Sequence, residues 1–110
     1  MLDLTALTGE LYQIKMADGT VLELKRPTQA LYESILALGD SKVNMDTQKM
    51  MDVSYQLFAA ILNRNTNGYT FDEKELRDDY DFTIALTVLG DYMSYYAKEV
   101  AERVDFQPAQ

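Results

Sequence analysis

Apolar and polar residues alternate singly near the start of this chain, then shift to helical spacing. Tyr12, Ile14 and Met16 alternate with Gln13 and Lys15, and Leu22 and Leu24 alternate with Val21, Glu23 and Lys25. A period of two predicts strands with one buried face, and Asp18-Gly19 between them is a turn signal. Residues 11–26 therefore read as a β-hairpin.

Register decides which turn joins the strands. A two-residue turn at Asp18-Gly19 would set Ile14 opposite Glu23 and mix the two faces. A three-residue loop, Ala17-Asp18-Gly19, sets Met16 opposite Thr20, Ile14 opposite Leu22 and Tyr12 opposite Leu24, so the large apolar residues share one face. The expectation is a type I turn with Gly19 left-handed as a G1 bulge. A two-stranded hairpin is marginal alone, so its apolar face must pack on a helix or a partner.

Pro27-Thr28 closes the hairpin, and Thr28 is the expected N-cap of a helix over 28–38. Leu31, Ile35 and Leu38 form its stripe, broadened by Tyr32 and Leu36, and Gly39 stops it. Residues 40–45 form a polar connection. Asp46 is the expected cap of a second helix over 46–63. Met50, Val53, Leu57 and Ile61 make one stripe there, and Met51, Tyr55, Phe58 and Leu62 make its neighbour. Two adjoining stripes give a wide apolar face, suited to more than one contacting element.

Residues 63–68 are a loop by composition, and Tyr69-Thr70-Phe71 is a short extended piece. A short helix over 73–79 follows, with Asp72 and Glu75 spaced like a capping box. Asp81 is the expected cap of the last helix, 82–103, whose main face holds Phe82, Ala85, Leu86, Leu89, Met93, Tyr96 and Val100. The tail, 105–110, contains Pro108 and is expected to fray. The fold class is α+β, mainly α: one domain over 1–110, an N-terminal β-hairpin followed by a bundle of three main helices and one short helix.

Composition changes the functional picture by what it lacks. The chain of 110 residues has no His, Cys or Trp. That removes the usual general base, thiol nucleophiles and soft zinc ligands. Ten Lys and Arg against eighteen Asp and Glu give a net charge of -8, which disfavours nucleic acid and anionic lipid and favours a basic partner surface. No apolar run approaches the ~18 residues of a membrane span. Met1-Leu2-Asp3-Leu4 has no basic segment of the signal-peptide kind. Absence of Cys suits a reducing cytosol. The expectation is a cytoplasmic protein that binds other proteins, with no catalytic residue, metal or cofactor.

Three places could carry function. Asn63-Arg64-Asn65-Thr66-Asn67-Gly68 resembles the start of an EF-hand calcium loop. Its first three ligand positions are uncharged amides, and Lys74 stands where a bidentate Glu belongs. The competing reading is a turn in which Asn and Gly tolerate left-handed angles. The run 72–81 holds six acids against Lys74 and Arg77. It is a docking patch for a basic partner, a hard-cation site, or two helix N-termini whose acids complement the dipole. Tyr92, Tyr95 and Tyr96 cluster on the last helix, with Tyr80 upstream. They are either an interface, with Tyr92 or Tyr95 exposed, or the edge of the core. With Met51, Tyr55 and Phe58 of the second helix, these three tyrosines are the candidate partner-binding residues. The methionines of that region, Met45, Met50 and Met51, serve either as an adaptable binding face or as core filling.

The hairpin Ile14-Lys15-Met16-Ala17-Asp18-Gly19-Thr20-Val21-Leu22-Glu23-Leu24 leads into Lys25-Arg26-Pro27-Thr28. A central helix then ends in Ala60-Ile61-Leu62-Asn63-Arg64-Asn65-Thr66-Asn67-Gly68, with Tyr69-Thr70-Phe71, Glu75-Leu76 and Gly90-Asp91-Tyr92-Met93 beyond. This layout, over roughly residues 10–100, resembles the tail assembly chaperones of long-tailed bacteriophages of Gram-positive hosts. The resemblance implies a non-enzymatic protein that coats the helical tape-measure protein, keeps it soluble and recruits tail-tube subunits. It also implies action in the cytoplasm of the bacterial host, and a longer frameshifted product with a second domain in many such phages. A groove between the second and last helices is the expected binding face, with weak self-association at most. The rival readings are an acidic adaptor or regulator acting on a basic host protein, and a degenerate EF-hand-like module.

Overall fold

The register argument is met at the hairpin. In a computed structural model, which describes residues 11–39 and 46–105 with side chains through Ala97, β1 (Tyr12–Lys15) pairs antiparallel with β2 (Val21–Leu24). Tyr12 faces Leu24 and Ile14 faces Leu22. Met16 N–H donates to Thr20 O at 2.7 Å, and Gly19 N–H donates to Met16 O at 2.9 Å. Gly19 takes φ +93°, while no described non-glycine residue has positive φ. A type II turn would need positive φ at Asp18, so the turn is of the type I kind closed by a glycine bulge. The Asp18 carboxylate accepts from Thr20 N–H at 2.9 Å and fixes the loop.

Helices follow as α1 (Gln29–Leu38), α2 (Thr47–Leu62), α3 (Glu73–Asp79) and α4 (Phe82–Asp105). The protein is α+β, mainly α. Thr28 Oγ1 accepts from Leu31 N–H, Asp46 from Lys49 N–H and Asp81 from Ile84 N–H, so these three caps form as the sequence predicts. Asp72 does not: it stands at the N-cap of α3 without a side-chain cap bond, which corrects the capping-box expectation. Glu73 instead pairs with Arg77 one turn on, at 2.9 Å. Arg77 also reaches Asp52 of α2 at 2.7 Å and lies over the Tyr55 ring. The polar connection at 40–45 with Met45, the place of the Val100 side chain and the tail at 106–110 lie outside what is described.

α2 is the central element, touching α4, α1, α3 and β2. Its two stripes merge into one buried face of Tyr55, Leu57, Phe58, Ala59, Ile61 and Leu62. The hairpin lays Leu22 and Leu24, both fully buried, on this face. Each such leucine contributes about 2 kcal/mol, which is how a hairpin too small to stand alone becomes fixed. On α4 the buried stripe is Ala85, Val88, Leu89, Tyr92 and Tyr96. Leu86 was expected on it but is 39% exposed, because it lies ~100° around the helix from Ala85.

Candidate partner-binding surface

The residues expected to bind a partner are mostly in the core. Tyr92 is fully buried, and Phe58, Tyr96 and Tyr55 are 1%, 4% and 6% exposed. Met51 and Tyr95 are half-buried. The expected groove between the second and last helices is closed by direct α2–α4 packing and by the hairpin above. This corrects the partner-binding assignment for Tyr55, Phe58, Tyr92 and Tyr96: their apolar area is already covered within the chain.

Their hydroxyls explain the tyrosine content. Tyr92 donates to Lys25 O at 2.6 Å, and Tyr55 donates to Tyr80 O at 2.6 Å. Tyr96 donates to Leu24 O at 2.6 Å and accepts from Tyr12 N–H at 3.0 Å, bridging both strands at the end of the ladder. Tyr12 in turn donates to Asp91 on α4. A tyrosine supplies apolar area and a hydrogen bond together, so it can anchor backbone to a core. Burial pushes the Tyr92 and Tyr96 hydroxyl pKa values up. Burial also raises Tyr12, with Asp91 adding to it as acceptor and as a nearby negative charge.

Strand alternation sets which main-chain groups face outward. Tyr12, Ile14 and Met16 turn theirs toward β2, and Gln13 and Lys15 turn theirs away. On β2 the outward residues are Val21, Glu23 and Lys25, and the 63–71 loop covers that edge. Thr66 N–H donates to Glu23 O at 2.9 Å, Lys25 N–H to Arg64 O at 3.0 Å, and Glu23 N–H to Asn67 Oδ1 at 3.2 Å. Asn65 holds the loop in shape. Its amide nitrogen donates to Leu62 O and Tyr69 O, and its oxygen accepts from Asn67 N–H and Tyr69 N–H. Asn63 bonds both main-chain groups of Phe71, and Gly68 takes φ +85°. The amides that suggested calcium ligation are thus engaged in closing the loop; of the turn reading, the left-handed angle is met at Gly68 and at none of the Asn residues. Among the described residues no group of three or more His, Cys, Asp or Glu is placed to hold a metal.

Among the described residues the outer edge of β1 has no such cover. Tyr80 Oη accepts from Ala17 N–H at 3.1 Å, but among the described residues nothing pairs the outward groups of Gln13 and Lys15. Beside this edge runs a groove of about 260 Å³. Ile14 forms its β1 side, Phe58 and Tyr80 are also in its wall, and Ile84, Val88 and Asp91 of α4 form the other side. Ile84 is 43% exposed there. A second hollow of about 200 Å³ meets the groove at Met16 and Tyr80. Tyr69, Phe71 and Leu76 line it, and Asp18, Glu75 and Asp79 supply its carboxylates. The backbone N–H of Thr20 holds the Asp18 carboxyl below its ordinary pKa, so it stays charged.

Among the described residues no helix is long and apolar enough to cross a membrane. The acidic run divides by role: Asp81 caps α4, Glu73 pairs with Arg77, and Glu75 and Asp79 line the hollow. Sequence reasoning missed Ile84 and Asp91, which only the fold brings beside Ile14 and Tyr80. Compared with known proteins, the chain matches no family model, no curated protein and no solved structure.

Proposed function

We propose that this chain is a non-enzymatic binding protein, and that the layout it shares with phage tail assembly chaperones describes its task. On this reading it holds the tape-measure protein in soluble form and assists assembly of the tail-tube protein around it, in the cytoplasm of the bacterial host. The observation that supports a binding role is the apolar groove beside the open edge of β1. Apolar surface of that kind on a protein of net charge -8 suits a molecule that covers an aggregation-prone chain and keeps the complex dissolved. The hydroxyls of Tyr55, Tyr92 and Tyr96 each hold a backbone carbonyl, which supports a structural use of these tyrosines.

Co-expression with a tape-measure protein from the source of this chain tests the reading. The expected result is that the long protein is recovered soluble only with this chain and stays bound at moderate salt. Equal solubility with and without it, and no co-purification, would remove the chaperone reading.

A further inference from the structure

We infer that the open edge of β1 and the two adjoining hollows form one docking site for an extended segment of a partner protein. That segment adds a third strand to the sheet, places alternate apolar side chains in the groove and sets a basic residue in the acidic hollow. This rests on the reading of the chain as a protein-binding molecule and names how the binding is done.

Four observations carry it. The outward N–H and C=O groups of Gln13 and Lys15 lack partners among the described residues, and such an edge is a template for strand addition. The groove lies on the same side, between Ile14 of β1 and Ile84 and Val88 of α4. Side chains of an added strand alternate, so every second one would drop into it. Beyond Met16 and Tyr80 the acidic hollow begins, with Asp18, Glu75 and Asp79 around Tyr69 and Phe71. Carboxylates around aromatic faces suit an arginine or lysine, whose cation gains from both. Finally, Ile84 and Tyr69, two of the exposed large apolar side chains, line these two hollows.

The occupant is another protein and not a second copy. Each copy carries -8, so edge-to-edge pairing brings two acidic molecules together. Lys15 on the edge adds to this, since a charged edge residue opposes indiscriminate pairing. An antiparallel segment runs from the Met16 end toward the Tyr12 end. Its basic residue therefore precedes its apolar ones.

The probe is a synthetic peptide of alternating Val and Thr led by one Arg, titrated into the full chain and followed by amide hydrogen exchange and calorimetry. The expected result is new protection at the Gln13 and Lys15 amides on peptide binding. Glu75→Gln with Asp79→Asn should weaken the peptide by about fivefold and flatten its salt dependence. A peptide with Pro at its central Thr, which sits opposite Gln13 or Lys15 with its N–H turned to the edge, should bind poorly, because it cannot complete the ladder.

Three outcomes would overturn the inference. One is a peptide that does not bind. Another is binding that leaves Gln13 and Lys15 exchanging freely. The last is full protection of both amides in the free protein, which would mean that this chain or a second copy already fills the edge. None of these touches the co-expression result, so the chaperone reading and this docking mode stand or fall separately.

Discussion

The two outer edges of the hairpin face the same physical problem and meet it in opposite ways. At β2, the outward groups of Glu23 and Lys25 are taken by Arg64, Thr66 and Asn67, from a loop that Asn65 folds to shape. At β1, the outward groups of Gln13 and Lys15 find no partner among the described residues, and an apolar groove runs alongside. An uncovered edge costs little in water but invites other chains. Closure of one edge by a dedicated loop shows that this fold has the means to cover an edge, and the contrast is what the proposed docking mode rests on.

Asn65→Ala is the most direct way to break the contrast. Asn65 is 8% exposed, and truncation leaves the main-chain groups of Leu62, Asn67 and Tyr69 that it bonds short of partners. The expected loss is about 3 kcal/mol by urea unfolding. Amide exchange at Glu23 and Lys25 should speed up well before global unfolding, turning the closed edge into an open one. A loss below about 1 kcal/mol would mean that the loop holds its shape without Asn65.

Tyr96→Phe is expected to cost about 2 kcal/mol, because one hydroxyl serves both Tyr12 N–H and Leu24 O while the ring stays packed on Tyr92. Urea unfolding measures it, and faster exchange of the Tyr12 amide should accompany it. The same clamps set an alkaline limit. The folded pKa values of Tyr12, Tyr92 and Tyr96 lie above the ordinary 10.0. Their contribution is therefore complete below pH ~10 and is lost above it, as the unfolded chain ionises first. For fully buried Tyr92 the slope is about 1.4 kcal/mol per pH unit. Denaturation curves across this range should show it, and Tyr92→Phe should flatten it.

Much of this fold is legible in the sequence because its signals are local. Thr28, Asp46 and Asp81 cap the helices they precede, and the Ala17-Asp18-Gly19 loop follows from keeping Tyr12, Ile14, Met16, Leu22 and Leu24 on one face. The site is not local. Tyr92 and Phe58 carry the residue types of an interface, yet the same apolar area serves a core, and only packing decides between them. Ile84 reads as one more apolar position on α4 until the hairpin, two strands wide among the described residues, leaves it at the groove. Asn65 stands in a stretch that composition marks as a turn, but its partner β2 lies about forty positions earlier, beyond any short-range pattern.

A matched pair of prolines gives the finest test of the two edges. Gln13 and Glu23 are opposite each other in the hairpin, and each is exposed and follows an extended residue. Either substitution removes the same long side-chain contact, Gln13 Nε2 to Glu23 Oε2 at 3.4 Å, so that loss cancels. The conformational restriction that proline imposes is similar at both sites. What remains is the N–H. At Glu23 it donates to Asn67 Oδ1, and at Gln13 it points to the open side. Glu23→Pro should therefore cost about 1 kcal/mol more than Gln13→Pro by urea unfolding. Equal costs would show that the Gln13 N–H has a partner after all and that the β1 edge is closed. The expected difference, combined with loss of peptide binding in Gln13→Pro alone, would mean that the edge left open by the fold is the one that captures another chain.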